Sequence, residues 1–383
     1  MAGGRVVGVG VGRAPDGTVD LGDVALLPGL VNAHTHLELS WMGGAVPPAV
    51  SMSEWIRAVV ALRRGGVPGG REAEVRAARD AAASVVATGT ALVGDVSNTL
   101  LTPALLTEAG LGGVVFHELI GFNAIDPAGD VRAAWTRIEQ MSAHQTGNLA
   151  NPREPLSFSV VAHAPYSVSP ALFAAILARS SSSPLAIHLA ESAEEIEFLR
   201  TGLGPIRRML EQLGVWSGSW AVPRCDPVQY MSDLGYLRPG TLVVHCVHVT
   251  DRDLDRLRDA RAVVVTCPRS NLWVGTGPPR LSRFYAAGLA VAVGTDSLAS
   301  APSVNLFDEL AEMRRLAPEI SASTLLESAT KVGADALGFS EYGTIRPGQR
   351  AVFAAVEVPR AGLADVEEYL VSGVPARAIR RVA

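Results

Sequence analysis

The sequence predicts an α/β protein built as a (β/α)8 barrel, with a small β-sandwich formed by the two ends of the chain. Eight short apolar runs rich in β-branched residues recur along the chain, and a longer segment of helical period follows most of them. Strands buried on both faces that alternate with helices form parallel sheets. Eight such units favour a TIM-type barrel over an open sheet. A chain of 383 residues, 48% of them apolar, is long enough for such a barrel with an attachment.

The predicted barrel strands are short and rich in Val, Leu, Ile and Ala. In chain order they span residues 30–36, 91–96, 113–119, 158–163, 185–189, 242–248, 262–267 and 291–294. Apolar residues recur with helical period between them. The predicted helices include residues 72–87, 170–178, 193–200, 251–260, 304–316 and, after the last strand, 322–336.

The two ends of the chain contain short β-like pieces. Residues 5–11 and 24–27 precede the first barrel strand, and residues 343–358 and 376–382 follow the last helix. The Arg346-Pro347-Gly348 sequence is typical of a turn. We therefore expect residues 1–27 and 341–383 to form the β-sandwich beside a barrel spanning residues 28–340.

Composition narrows the class of protein. The net charge is −5 without a basic block, which argues against nucleic acid as a partner. No apolar run is long enough to cross a bilayer, and the N-terminus does not resemble a signal peptide. The three cysteines, Cys225, Cys246 and Cys267, form neither a disulfide framework nor a zinc-finger pattern. We expect a cytoplasmic protein without a membrane partner.

Histidines concentrate at the ends of the predicted strands, where (β/α)8 barrels hold their active sites. His34 and His36 end the first strand, and side chains two residues apart share a face of a strand. His188 ends the fifth strand and Asp296 follows the eighth. Three imidazoles and a carboxylate suit Zn²⁺ or Fe²⁺ with a position left for water. The sequence thus predicts a metal site, the alternative being incidental core histidines.

Two further side chains could take part in the chemistry at such an ion. Glu191 follows His188 by three residues, so it reaches the same end of the barrel only if the chain bends there. In that position it could act as a proton shuttle, whereas the alternative is a residue of the first helical turn favoured by the helix dipole. His245 ends the sixth strand and could orient the water. His248 is the competing candidate and is expected to face elsewhere.

Five motifs together resemble the amidohydrolase superfamily, and they occur in that family's order. They are Pro-Gly-Leu-Val-Asn-Ala-His-Thr-His at 28–36, His-Leu-Ala-Glu at 188–191, His-Cys-Val-His at 245–248, Cys-Pro-Arg-Ser-Asn at 267–271 and Gly-Thr-Asp-Ser at 294–297. The chain is similar to the branch of cytosine, guanine and S-adenosylhomocysteine deaminases and triazine chlorohydrolases. The resemblance is closest to the aminodeoxyfutalosine deaminases.

The resemblance implies a hydrolytic deamination at one divalent ion, Zn²⁺ before Fe²⁺. The implied ligands are His34, His36, His188 and Asp296. The ion lowers the pKa of a bound water, and Asp296 accepts a proton as the hydroxide attacks an amidine-like ring carbon. Glu191 protonates the adjacent ring nitrogen and relays a second proton to the departing amine, while His245 orients the water.

The resemblance also implies a single ion. Binuclear members of the superfamily use a carboxylated lysine from the fourth strand to bridge two ions. The predicted fourth strand, residues 158–163, contains no lysine, and the only lysine of the chain is Lys331, far beyond the eighth strand.

Four residues are candidate substrate contacts. The resemblance implies that His163 touches a nucleoside-like substrate and that Trp55 covers its ring by stacking, with structural packing as the alternative for each. Arg269 could clamp a substrate carboxylate, although a salt bridge at the barrel rim is the alternative we favour. Glu118, like Glu38, could bind ribose hydroxyls or be structural.

The leading hypothesis is a metal-dependent aminohydrolase acting on a small heterocyclic substrate, an adenine-type nucleoside. Aminodeoxyfutalosine is the first candidate, followed by S-adenosylhomocysteine, methylthioadenosine and a free base. Hydrolytic dechlorination of a triazine is the runner-up chemistry. A non-catalytic assembly protein on the same fold is disfavoured, because such proteins lose metal ligands that are all present here. A homodimer is compatible with this fold, but the sequence identifies no interface.

Overall fold

The computed structural model describes residues 1–12, 17–146, 154–180, 183–359 and 365–382. Strands within these ranges are β1 Val24–Pro28, β2 Leu30–Thr35, β3 Thr90–Ser97, β4 Gly112–Leu119, β5 Leu156–Ala162, β6 Ala186–Leu189, β7 Leu242–His245, β8 Val263–Thr266, β9 Ala290–Val293, β10 Phe353–Glu357 and β11 Ile379–Val382.

The first helices are α1 Met52–Gly65, α2 Gly70–Ala87, α3 Thr102–Ala109, α4 Pro127–Thr146, α5 Pro170–Arg179, α6 Ala193–Thr201, α7 Gly204–Gln212 and α8 Pro227–Asp233. The later ones are α9 Asp251–Asp259, α10 Pro268–Trp273, α11 Leu281–Ala286, α12 Leu306–Leu316, α13 Ala322–Ser328, α14 Lys331–Ala336 and α15 Val366–Val371. Two 3-10 helices span Leu37–Met42 and Ala376–Ala378. No helix in the described part of the chain is both long and apolar enough to cross a bilayer.

Eight strands form two parallel sheets of four strands each, β2-β3-β4-β5 and β6-β7-β8-β9. Each overlaps one of the eight predicted runs, so the α/β class with parallel strands is confirmed. Every residue of β2 and β3 is buried, because both faces of these strands are covered by packed elements. The sixth predicted strand is shorter than expected. It ends at His245 because His245 and Cys246 adopt positive φ values of 77° and 50°.

Residues at the edges of the two sheets also contact one another. The Tyr236 hydroxyl accepts a hydrogen bond from the amide of Ala162 (3.0 Å) at the end of β5 and donates to the carbonyl of Ala186 (3.2 Å) at the start of β6. Thr35 and Asp296 form an isolated parallel bridge beyond β2 and β9. These contacts satisfy backbone groups that lack a regular strand partner, and they bring strand ends of both sheets into one region.

The ends of the chain form one small sheet. Strands β1, β10 and β11 pair antiparallel in the order β1-β10-β11. The expected strand over residues 5–11 is absent from this described segment, where Arg5 makes only isolated bridges to Ala2 and Arg350. Glycines alternate with Val7 and Val9 and offer no side chain to bury, and both valines are exposed. A second, facing sheet is not formed by the described residues.

The helix expected over residues 322–336 is divided into α13 and α14. Thr330 lies between them with non-helical φ and ψ of −133° and −93°. Its hydroxyl donates to the carbonyl of Leu326 (2.7 Å), a local hydrogen bond that competes with continued helix.

Gly94 in β3 allows the backbones of β2 and β3 to approach closely. A Cβ at this position would lie 2.3 Å from the carbonyl oxygen of Ala33. We expect Gly94→Ala to lower the free energy of unfolding by about 1–3 kcal/mol, because overpacking forces the backbone to shift. Gly218→Ala is the matched control, since a Cβ there meets no atom within 4 Å. Thermal unfolding curves of both variants test this expectation, and equal midpoints would contradict it.

Candidate functional site

Three imidazoles converge at the carboxyl ends of β2 and β6. His34 and His36 lie two residues apart at the end of β2, and their Nε2 atoms are 3.2 Å apart. The Nε2 atoms of His36 and His188 are 3.4 Å apart. Nitrogens bound at about 2.0–2.1 Å to one tetrahedral zinc ion lie about 3.3 Å apart. These three buried side chains can therefore hold a divalent ion.

Asp296 places a carboxylate beside the same histidines. It follows β9 with a φ of 56°, and its Oδ1 lies 3.7 Å from His34 Nε2 and 3.6 Å from His36 Nε2. Its other oxygen, Oδ2, accepts hydrogen bonds from the hydroxyls of Ser270 (2.5 Å) and Ser300 (3.0 Å). Burial alone would raise the pKa of Asp296, but the neighbouring His34 and His36 outweigh it and hold the pKa well below its ordinary value. Oδ1 is thus an anionic oxygen directed at the histidines.

A hydrogen bond to the backbone fixes the orientation of the His188 ring. Its Nδ1 lies 3.0 Å from the carbonyl oxygen of His163, to which it donates, so Nε2 faces the other imidazoles with a lone pair. Burial, with the neighbouring His163 and His34, lowers the pKa of His188 to about 4. The ring is therefore neutral near pH 7, as a metal ligand must be.

A second group of donors is not independent of the first. Glu118, His163 and His188 also lie close together, but His188 is shared and its Nδ1 is already used by a backbone carbonyl. Lys331 is about half exposed and pairs with Asp335 in α14, so it does not approach these residues as a bridging ligand. The two groups therefore amount to one independent set of donors among the described residues.

Glu191 reaches this region because the chain bends after β6. Ala190 adopts a φ of 50°, and the amides of Ala190 and Glu191 donate to the buried carboxylate of Glu195 (3.1 and 2.9 Å). The bend places Glu191 Oε1 3.6 Å from His245 Nε2. Burial, together with the charges of Asp296 and Glu195, raises the pKa of Glu191 well above its ordinary value. A protonated Glu191 can donate a proton into the site.

His245 is held by a residue to which the sequence analysis gave no role. The Asn271 side-chain amide donates to His245 Nδ1 (3.0 Å), so the ring hydrogen lies on Nε2, which faces Glu191. Asn271 is the last residue of the Cys-Pro-Arg-Ser-Asn motif, and that motif was the available signal. His248 faces elsewhere, as expected, and its Nε2 donates to the carbonyl of Thr276 (2.9 Å).

A cavity of about 360 Å³ opens above these groups. Three of the four candidate substrate contacts line it, namely Trp55, Glu118 and His163. The Trp55 indole donates to the carbonyl of Ala299 (3.4 Å), and Asn98 donates to Glu118 (3.1 Å). Burial, with the nearby Arg63, lowers the pKa of His163 to about 4, so its ring is neutral. The cavity combines polar groups at its base with a largely apolar wall.

Arg269 is not among the residues that line the cavity. Its side chain contacts Ser303 (3.0 Å), Asp308 (3.4 Å) and Glu309 (3.7 Å), all in or just before α12. The rim salt bridge, rather than the substrate clamp, matches this geometry. The arginine that does line the cavity is Arg63, which the sequence analysis missed. Residues 56, 59, 60 and 63 follow helical spacing on α1, and that spacing could have identified its face.

Known proteins are similar to this chain over most of its length. Residues 25–380 match the Amidohydrolase family. The aminodeoxyfutalosine deaminase of Deinococcus radiodurans is 31% identical over 344 residues, which are 85% of this chain and 76% of that protein. The 5-methylthioadenosine/S-adenosylhomocysteine deaminase of Nitratidesulfovibrio vulgaris (strain Miyazaki F) is 31% identical over 366 residues, 91% of this chain and 76% of that protein.

A solved structure agrees in fold. The crystal structure of Helicobacter pylori aminofutalosine deaminase in complex with methylthio-coformycin superposes with a TM-score of 0.76 at 27% identity, covering 91% of this chain and 82% of that chain. The resemblance found from the five motifs is confirmed. This chain belongs to the amidohydrolase family.

Proposed function

We propose that this protein is a metal-dependent aminohydrolase that removes the amino group of an adenine-type nucleoside. The observation that carries the proposal is the convergence of His34, His36 and His188 beside Asp296, with Glu191 at the base of the same cavity. The family acts as hydrolases on C–N bonds, and the similar proteins are named as deaminases of adenine nucleosides. Aminodeoxyfutalosine is the first candidate substrate.

The proposed cofactor is one divalent ion, with zinc preferred over iron. Three neutral imidazole nitrogens and one carboxylate oxygen form a donor set that suits either ion. The proposed ligands are His34, His36, His188 and Asp296. When bound, such an ion acts as a Lewis acid that makes a water molecule nucleophilic near neutral pH.

Side chains of the protein then carry out the proton transfers that hydrolysis requires. The water oxygen forms a bond to the ring carbon that bears the amino group, and the Asp296 carboxylate accepts one proton. Glu191 donates a proton to the neighbouring ring nitrogen, which makes the carbon more electrophilic. The hydroxyl proton of the tetrahedral adduct then passes to the amino group through the now anionic Glu191. The C–N bond breaks, ammonia leaves as the oxygen forms the carbonyl, and the proton held by Asp296 returns to Glu191. The Nε2–H of His245 orients the oxygen during attack.

The side chains proposed to contact the substrate line the same cavity. Trp55 stacks on the heterocycle, and His163 hydrogen-bonds to the nucleoside. Glu118, whose burial raises its pKa from the ordinary value, binds a sugar hydroxyl. Each of these side chains lines the cavity.

We also propose the finer architecture that the sequence suggests. The two parallel sheets close into one (β/α)8 barrel over residues 28–340, supported by the Thr35–Asp296 bridge and the Tyr236 hydrogen bonds. Residues 1–27 and 341–383 form the small β domain, supported by the pairing of β1 with β10. The three free cysteines favour the reducing cytoplasm.

The activity is tested by measuring ammonia release from adenine compounds with the zinc-loaded protein. We expect turnover of aminodeoxyfutalosine, followed by methylthioadenosine and S-adenosylhomocysteine, and less with free adenine. The same assay with a chlorotriazine tests dechlorination through chloride release. Absence of ammonia from all four adenine compounds would contradict the proposal.

Glu191→Gln tests the proton shuttle. The amide keeps the size of the side chain but cannot transfer a proton, so we expect kcat to fall by about 10²- to 10⁴-fold with the metal content unchanged. Glu197→Gln on the exposed side of α6 is the matched control and should retain full activity. Near-normal kcat in Glu191→Gln would remove this residue from the mechanism.

His188→Gln tests the metal site. We expect the wild-type protein to retain about one zinc ion per chain after dialysis and the variant to retain less than about half an ion, because one ligand is lost. His248→Gln is the control, since His248 bonds to Thr276 outside the ligand set. Metal analysis by mass spectrometry decides, and equal zinc content in all three proteins would exclude His188 as a ligand.

A further inference from the structure

The cavity has a second, apolar part away from the histidines. On one side lie Ile56, Val59 and Val60 of α1, and on the other side lie Met209 and Leu213 on or just after α7. These side chains leave a slot suited to an uncharged, hydrophobic portion of a ligand. A substrate that fills both parts needs an apolar arm beyond its heterocycle and sugar.

One side chain that carries a positive charge at neutral pH lines this cavity. Arg63 is the only arginine or lysine among the described residues that line it, and it lies on the same face of α1 as Ile56 and Val60. The acidic side chains of the cavity, Glu118 and Asp296 among them, lie with the histidines. The neighbouring Arg64 does not line this cavity; it lines a smaller, adjoining pocket that shares Ile56, Val60, Met209 and Leu213 with it.

The guanidinium of Arg63 is only weakly paired within the described part of the chain, and its side chain is 40% exposed. Its side chain makes no hydrogen bond to any described residue, and its closest ion pair is with Glu38 at 3.7 Å. That carboxylate accepts four shorter hydrogen bonds: three on Oε2, from the Ser97 hydroxyl (2.9 Å) and the amide and hydroxyl of Thr99 (3.1 and 2.8 Å), and one on Oε1, from the Asn98 backbone amide (2.9 Å). An arginine presents a fork of N–H donors that matches a carboxylate bidentately.

We propose that Arg63 binds a carboxylate on the arm of the substrate, so that the cavity selects acidic adenine nucleosides over neutral ones. This inference rests on the proposed deaminase function and specifies its substrate class: an adenine nucleoside whose apolar arm bears a carboxylate. Arg63 is a specificity-determining residue, and the bond-breaking groups at the base of the cavity are separate from it.

The experiment compares one ligand with and without its charge. Aminodeoxyfutalosine has a carboxylate on its arm, and its methyl ester keeps the shape but removes the charge. Binding of both to the zinc-loaded protein is measured by calorimetry for wild type, Arg63→Gln, Arg63→Lys and the control Arg64→Gln, each also carrying Glu191→Gln so that the ligand is not consumed. Turnover of both compounds and of neutral methylthioadenosine is measured in parallel.

We expect wild type and Arg64→Gln to bind the acid about 10- to 100-fold more tightly than the ester. Arg63→Gln should abolish that preference by weakening binding of the acid alone, with KM raised, kcat unchanged and methylthioadenosine unaffected. Arg63→Lys should restore part of the preference, because it keeps the charge but loses the fork.

Equal binding of acid and ester by wild type, or an equal loss of both in Arg63→Gln, would overturn the inference. Binding does not depend on turnover, so the two proposals can fail separately. Acid selectivity without ammonia release would contradict only the deaminase function, and ammonia release without acid selectivity would contradict only the role of Arg63.

Discussion

The site depends on burying several polar donors so that they point at one small volume. Imidazole lone pairs repel one another when they converge without a cation, and burial of the imidazoles and of the carboxylate removes the water that would otherwise stabilise them. Hydrogen bonds on the far side of these groups offset part of the cost of burial. His188 donates to the carbonyl of His163, and Asp296 accepts from the hydroxyls of Ser270 and Ser300. A divalent ion bound by the converging lone pairs would offset the remaining repulsion and desolvation.

The backbone around the site adopts conformations that are costly for ordinary residues. Ala190, His245 and Asp296 all have positive φ, each at the point where the chain leaves a parallel strand. Such conformations cost of the order of 1–3 kcal/mol each and persist only where the surroundings enforce them. Here Glu195 binds the amide of Ala190 and Asn271 holds the His245 ring. Stability elsewhere in the fold therefore supports the geometry of the reactive groups.

The proposed chemistry and the proposed substrate selectivity lie on different secondary-structure elements. The strand ends supply the imidazoles and carboxylates, which are fixed by ladder hydrogen bonds between neighbouring strands. Helices α1 and α7 supply the apolar wall and Arg63, on segments that lie outside the sheets. Residues on α1 and α7 can vary without disturbing the strand ends, so related proteins can share the same reactive groups and accept different substrates.

The sequence alone determined the features that depend on local periodicity. Alternation along a strand placed His34 and His36 on one face, and the order of strands and helices predicted the α/β class and the common edge that gathers His188 and Asp296. The bend before Glu191 also follows from strand geometry, because a straight strand could not place this side chain beside His188.

Only the tertiary structure decided which arginine faces the cavity and which is paired. Helix α12 supplies acidic partners to Arg269, whereas Arg63 faces a cavity formed with a distant helix. The partner of a long side chain depends on elements remote in sequence, which local spacing does not specify. The strand missing from residues 5–11 has the same origin, since a β-run forms a strand only where another element covers its apolar face.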